Sequence, residues 1–199
     1  MSQQEHSFAS PAPAGLGALS IACFIFYAIL TGKVSHAAAP VAACWLVGGA
    51  ICQLIAGLIE LKDGSIRGNI MLFFGSFFML VAALSLCVKY GLHAAGLPFD
   101  ARIEGWAWMA GWIFLVLMTP CYLKAPRLLF WGFIMADVAI LGIVLMDLKV
   151  AWLPMPLTAK IAGWLILGLG IIGVYLGGAI AVNTTFEKSI LPTTTPYVK

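Results

Sequence analysis

Apolar residues fill this chain in six long runs, and short groups of charged and turn-forming residues separate them. Each run is close to the roughly 20 residues that an α-helix needs to cross the hydrocarbon core of a bilayer. The pattern therefore predicts an all-α membrane protein, folded as a six-transmembrane-helix bundle. The predicted spans are residues 15–31, 37–61, 68–90, 105–123, 128–146 and 157–182.

The same pattern divides the chain into one membrane domain with two tails. Residues 1–14 form a polar N-terminal tail that ends in a proline motif, residues 15–182 form the transmembrane domain, and residues 183–199 form a C-terminal tail. The first nine residues lack the basic segment and apolar core of a cleavable signal peptide. We expect the first span to stay in the mature protein.

Composition supports a bilayer as the solvent. Hydrophobic residues make up 62% of the chain and charged residues 10%, which leaves too little polar surface to coat a soluble globule. The net charge of +3 is scattered among the connections, so no nucleic-acid partner is predicted. The five cysteines lie in or beside apolar runs and are interpreted as small hydrophobic residues, with no disulfide and no metal site.

Six spans put both termini on one side of the membrane. That side carries six basic residues and the other side carries five, counted from the connections and tails. The positive-inside rule then weakly favours cytoplasmic termini.

Asp137 is the outstanding polar residue at membrane depth. It lies near the middle of the fifth predicted span, with no Lys or Arg within one helical turn. An ionisable group there is costly unless it is paired or hydrated, so it suggests a function. Two interpretations stay open, a residue that faces the substrate pathway or carries a proton, and a structural hydrogen bond between helices. The same two interpretations stay open for Gln53 and Ser76, which are polar but not ionisable and are therefore less costly to bury.

Catalytic motifs are missing from the sequence. It contains no G-x-S-x-G, H-E-x-x-H, Walker loop or Rossmann glycine pattern in a soluble context. We therefore expect neither an enzyme nor an ATP-driven pump, and no cofactor. Passive conduction or ion-coupled transport remains.

A proline-rich segment before the first span, Ser10-Pro11-Ala12-Pro13-Ala14-Gly15-Leu16, resembles the N-P-A-P-L-G-L signature of the acetate uptake transporter family, also called succinate-acetate permeases. Further segments resemble the family in the same order along the chain, so the resemblance covers nearly its whole length. They are Gly48-Gly49 through Gln53–Glu60, Phe74-Gly75-Ser76-Phe77, Leu123-Lys124 with Arg127, Ala162-Gly163-Trp164, and Tyr175 with Asn183 through Leu191-Pro192.

The resemblance implies a homohexamer with a pore in each protomer, which passes acetate and other small carboxylates, including succinate. It also implies a hydrophobic pore constriction, which falls by position on Leu19, Phe74 and Ala136. None of the three keeps the family residue, which is an aromatic, a tyrosine and a leucine respectively. The substrate pathway is predicted to include Ser10, Pro11, Pro13, Gly15, Gln53, Gly75, Ser76, Met135 and Asp137.

Three functional hypotheses follow for a multi-pass protein of the inner cell membrane. The first is a channel or proton-linked permease for short carboxylates. The second is a channel for small neutral solutes such as urea or ammonia, because related small hexameric channels share six spans and an acid inside the membrane disfavours anions. The third is a membrane sensor that conducts nothing, although the short C-terminal tail offers it little output segment.

Overall fold

The computed structural model describes residues 9–150 and 153–198 of the chain. Within those residues it contains no β-strand, and six helices are long and apolar enough to cross a membrane, which confirms the predicted all-α fold with six spans. Residues 1–8 of the predicted N-terminal tail, and Lys199, lie outside the described residues. The helices are α1 (Ala12–Leu30), α2 (His36–Lys62), α3 (Gly68–Ala94), α4 (Arg102–Lys124), α5 (Arg127–Asp147) and α6 (Met155–Thr185).

Prolines and glycines set the helix ends. Pro13 stands in the first turn of α1, where its missing N–H costs no hydrogen bond. Gly32, Gly64 and Gly96 follow the ends of α1, α2 and α3 with φ of +70°, +79° and +65°. Only glycine adopts this left-handed conformation without strain, and it closes each helix so that the chain can reverse.

Small residues allow the helices to pack closely. A Cβ atom on Gly173 of α6 would stand 2.5 Å from Ser20 Oγ of α1, and one on Gly170 would stand 2.7 Å from Cys23 Cβ. Close approach of this kind is the usual basis of helix association in membranes. Neighbouring helices follow one another around the bundle in the order α3, α2, α1, α6, α5 and α4. A cleft lies between α3 and α4.

Apolar side chains cover both the inside and the outside of this bundle. The core holds buried residues such as Leu46 and Phe74, while large apolar side chains such as Trp45 and Leu117 are exposed on the outside. An exposed apolar surface is what hydrocarbon requires, so the bundle is built to face lipid.

Two helices depart from α geometry where they reach the centre of the bundle. Residues Phe74–Val81 of α3 adopt a π-helix, and the last turn of α4, Thr119–Lys124, is a 3₁₀-helix. The apolar pattern did not predict either feature. Phe74 and Phe78 both belong to the π segment and lie in the core, at 1% and 3% exposure. Such segments occur often at functional sites.

Candidate functional site: two cavities and an aromatic barrier

A cavity of about 240 Å³ opens toward the face of the bundle where α1 begins and α6 ends. We call this cavity the vestibule and that face the terminal face. Five of its described lining residues are polar or charged, and the rest are mostly apolar. The polar and charged residues of the lining are Ser10, Gln53, Glu60, Arg67 and Tyr122.

Gln53 is the buried polar group of the vestibule, with 2% of its surface exposed. Its amide Nε2 donates a 2.8 Å hydrogen bond to the Gly15 carbonyl, which fixes the side chain against α1. No protein group among the described residues bonds to its Oε1. A Cβ on Gly75 would lie 3.0 Å from Gln53 Cβ, so this glycine lets α3 approach the glutamine. The Gln53 side chain is therefore fixed beside the vestibule and keeps a buried acceptor without a protein partner among the described residues.

Aromatic and aliphatic side chains close the inner end of the vestibule. Leu19, Phe74 and Phe133 line it there and are 3%, 1% and 3% exposed. The Phe74 and Phe133 rings lie 6.0 Å apart between centroids, and Tyr122 stacks on Phe133 at 3.8 Å. These contacts give a dense apolar barrier, in which bare ions would lose their hydration.

A second cavity, of about 770 Å³, occupies the cleft between α3 and α4, and its lining runs from Asn69 at the start of α3 to Lys89 and Glu104 at the opposite face. Phe78 lines this cleft and meets Phe26 at 4.7 Å and Phe74 at 5.2 Å between ring centroids. Because Phe74 lines the vestibule and Phe78 lines the cleft, this ring pair forms the partition between the two cavities. We call it the aromatic barrier, together with Leu19 and Phe133.

Charged side chains mark the far end of the cleft. The Glu104 carboxylate accepts hydrogen bonds from the Ser85 hydroxyl and from the Lys89 ammonium, which also forms a salt bridge with it. Asp147 lines the same end. The Lys89–Glu104 ion pair and the Asp147 carboxyl group make this end of the cleft polar, whereas the cleft walls are mostly apolar.

Asp137 lies between α4 and α5 and lines neither cavity. Its Oδ2 is 2.9 Å from Thr119 Oγ1, which is also 3.0 Å from the Leu115 carbonyl, and Trp112 Nε1 donates to the Asp137 carbonyl at 2.9 Å. A hydroxyl has one hydrogen to donate. The Thr119 hydroxyl can donate this hydrogen to an ionised Asp137. When Asp137 is protonated, Asp137 donates to the Thr119 oxygen and the Thr119 hydrogen turns to the Leu115 carbonyl. The Thr119–Asp137 pair therefore accommodates both the ionised and the protonated carboxyl group.

The predicted site residues fall into three groups. Ser10, Gly15, Leu19, Gln53 and Phe74 line the vestibule, and Ser76 lines the cleft. The others line neither cavity, and whether any of the twelve touches a substrate stays a prediction. These six residues are Pro11 and Pro13 at the start of α1, Gly75 beside Gln53, Met135 against Gly168, Ala136 in the core and Asp137 beside Thr119.

Sequence reasoning missed several residues of the cavities. Phe78 stands one helical turn after Phe74, and Phe133 stands three residues before Ala136, so helical spacing from the predicted constriction was a signal for both. Arg67 and Tyr122 offered no such signal, because one precedes α3 and the other lies in the irregular end of α4.

Residues 1–195 match the sequence model of the GPR1/FUN34/yaaH family. The chain belongs to this family. The result confirms the family resemblance drawn from the proline motif and the segments that follow it. With six apolar spans, family membership makes the chain a multi-pass inner-membrane protein. The side occupied by its termini stays a prediction.

Individual relatives agree with the family assignment. The succinate-acetate/proton symporter SatP of Escherichia coli K12 is 28% identical over 186 residues, which are 92% of this chain and 94% of SatP. Accumulation of dyads protein 2 of Saccharomyces cerevisiae is 27% identical over 131 residues, 63% of this chain and 46% of that protein. The chain thus spans less than half of the yeast relative's length.

A solved structure, that of the bacterial acetate channel SatP, shares the fold. It superposes with a TM-score of 0.79 at 24% identity, over 94% of this chain and 99% of that one.

Proposed function

We propose that this chain is a transporter, not an enzyme, and that it passes acetate and other short carboxylic acids, including succinate, through each protomer. The observation that carries the proposal is a partition of aromatic rings, Phe74 against Phe78 at 5.2 Å, between the vestibule at the terminal face and a cleft whose lining reaches the opposite face. The printed names of the SatP relatives, a succinate-acetate/proton symporter and an acetate channel, support the same substrate class.

The acid crosses the aromatic barrier in its neutral form. Moving a carboxylate out of water without a compensating charge costs several kcal/mol or more, whereas a protonated acid carries only its polar groups. With a pKa of about 4.3, as for a glutamate side chain, about one carboxyl group in 500 is neutral at pH 7. Each neutral acid brings one proton for every carboxyl group that it carries, so flux through the pore is proton-linked by stoichiometry.

Gln53 receives the neutral acid in the vestibule. Its Oε1 is a buried acceptor with no protein partner among the described residues, and the hydroxyl of a protonated acid is a donor of matching chemistry. One of the two Nε2 hydrogens is donated to the Gly15 carbonyl. The unpartnered Oε1 favours a protonated acid, because a carboxylate anion has no hydrogen to donate to it.

Asp137 supports the pore wall in this scheme. Its carboxyl group and Thr119 join α5 to α4 one residue after Ala136, and Asp137 lines neither cavity. We therefore assign it to the spacing of the two helices beside the barrier, with a proton-carrying role as the alternative. Asp137→Asn keeps the shape of the side chain but cannot take up or release a proton. Unchanged acetate uptake by this variant supports the role in helix spacing, and a loss of uptake supports the proton-carrying role.

The protomers assemble as a homohexamer in the bilayer, as the family resemblance implies. An outward groove between α1 and α2 is lined by small residues and the exposed ring of Trp45, which suits contact with a second copy. Mass determination of the detergent-solubilised protein tests the assembly.

The proposal is tested by uptake of radiolabelled acetate into proteoliposomes, with and without an inward pH gradient. We expect protein-dependent uptake that rises steeply as the external pH is lowered, toward tenfold per pH unit while the site is unsaturated. Empty liposomes give the background. Osmotic swelling in urea is the comparison, and rapid urea entry without acetate entry would support the neutral-solute channel instead.

A further inference from the structure

Arg67 is the single basic side chain among the described residues that line the vestibule. It is half-buried in the connection between α2 and α3, and it forms no salt bridge with an acidic residue in the described part of the chain. Its Nε lies 3.4 Å from Ser65 Oγ, which leaves the terminal guanidinium nitrogens free to bind another group. A partly buried, unpaired guanidinium in a cavity is suited to a carboxylate.

Packing fixes the position of this arginine. A Cβ on Gly57 would stand 2.9 Å from the Gly68 carbonyl oxygen, and one on Gly68 would stand 2.5 Å from the Gly57 carbonyl oxygen. The backbones of α2 and α3 therefore touch immediately after Arg67. Since α3 cannot shift along α2 without a clash, the arginine is held at the vestibule by the fold.

Glu60 is the single acidic side chain among the described lining residues. Glu60 and Arg67 line the same cavity without forming a salt bridge with each other. A negative charge in that cavity weakens the attraction of Arg67 for an incoming anion.

We propose that Arg67 is the docking residue for carboxylate anions at the vestibule, and that Glu60 weakens this docking so that the substrate can leave. The anion is the abundant form in water, so it collects at Arg67. A proton from bulk water then neutralises it, and the acid formed moves on to Gln53 and the aromatic barrier. This inference rests on the proposed function and adds the step that concentrates the substrate.

The test compares Arg67→Gln, Arg67→Lys and Glu60→Gln with Lys124→Gln in proteoliposomes. Lys124 is exposed on the same face and does not line the vestibule, so it controls for the loss of one positive charge. We expect Arg67→Gln to raise the KM for acetate about tenfold, since charge-assisted pairs are the stronger hydrogen bonds. Arg67→Lys keeps the charge without the planar fork and has a smaller effect. Glu60→Gln lowers the KM.

An equal KM in Arg67→Gln and Lys124→Gln overturns the inference and leaves the proposed function standing. If Arg67→Gln does not fold, Glu60→Gln decides, because an unchanged KM in that variant also overturns it.

Docking is also measured without transport. Acetate at pH 7, where it is an anion, is expected to raise the melting temperature of the detergent-solubilised wild type, to raise that of Arg67→Lys by less, and to leave that of Arg67→Gln unchanged. Acetate stabilisation without acetate flux would refute the proposed function alone. Equal stabilisation in all variants would refute the role of Arg67.

Discussion

Gln53→Leu removes the buried acceptor of the vestibule and keeps the approximate volume of the side chain. The glutamine makes one bond to protein, from Nε2 to the Gly15 carbonyl at 2.8 Å, and its Oε1 is free of protein partners among the described residues. The substitution therefore has two separable effects, a loss of stability from the first atom and a loss of substrate binding from the second.

Both effects have the size of one neutral hydrogen bond. A net contribution of about 0.5–1.5 kcal/mol per bond corresponds to an increase of about twofold to tenfold in the KM for acetate. The Gly15 carbonyl lies within α1, so it keeps a helical donor when the glutamine is lost. We expect the stability loss to be no larger than about 1.5 kcal/mol and the fold to persist.

Cys52→Ala is the matched control. Cys52 is the preceding residue of α2, and its Sγ donates to the Ala14 carbonyl at 3.4 Å, so it also contacts α1. It lines the outward groove between α1 and α2 instead of the vestibule. Initial rates of acetate uptake at a fixed pH gradient give the KM of both variants. If Gln53→Leu and Cys52→Ala have the same KM, the glutamine does not bind the substrate.

Four further outcomes are expected. Phe78→Ala should open the aromatic barrier, so that acetate uptake rises and longer carboxylic acids such as butyrate enter, whereas Leu84→Ala on the exposed side of α3 should change neither. Thr119→Val should lower the melting temperature by about 2–4 °C, from a loss of about 1 kcal/mol, and Thr119→Ser should restore it; equal melting temperatures would show that this hydroxyl bond is weak. Tyr197→Ala should expose the C-terminal segment to protease, because its ring hydroxyl and backbone bind the start of α5 and the end of α4, and an unchanged cleavage rate would contradict that docking. Hydrogen bonds from the neighbouring arginine lower the pKa of Asp100 to about 2, so its contribution is present above the unfolded value of about 3.9 and is lost as pH falls through 2; Asp100→Asn should therefore leave the pH profile of uptake between pH 5 and 8 unchanged.

The six spans were predictable because hydrocarbon requires every backbone group to be bonded within a helix, which leaves long apolar runs in the sequence. The face that each helix turns inward was much harder to predict. The spans are apolar on all sides, so periodicity does not distinguish a residue that faces lipid, such as Leu117, from one in the core, such as Phe133. Leu19 and Phe74 were placed near the barrier only through the family motif.

Two local features of the structure, the π-helical turns of α3 and the orientation of Asp137, could not be predicted from the apolar pattern. The π-helical turns of α3, which contain Phe74 and Phe78, change the angular position of every later residue in that helix, and the apolar pattern gives no sign of them. Asp137 sits one residue after Ala136 and points toward Thr119, away from both cavities. Adjacent helical residues are about 100° apart, so a polar residue beside a predicted constriction need not share its face.

Both cavities and the partition between them are lined by residues of one chain. The proposed pore runs through a single protomer, so each copy is expected to conduct independently of its neighbours. In a cell that makes working and inactive copies together, total uptake should fall in proportion to the inactive fraction, and a loss-of-function allele should behave as recessive.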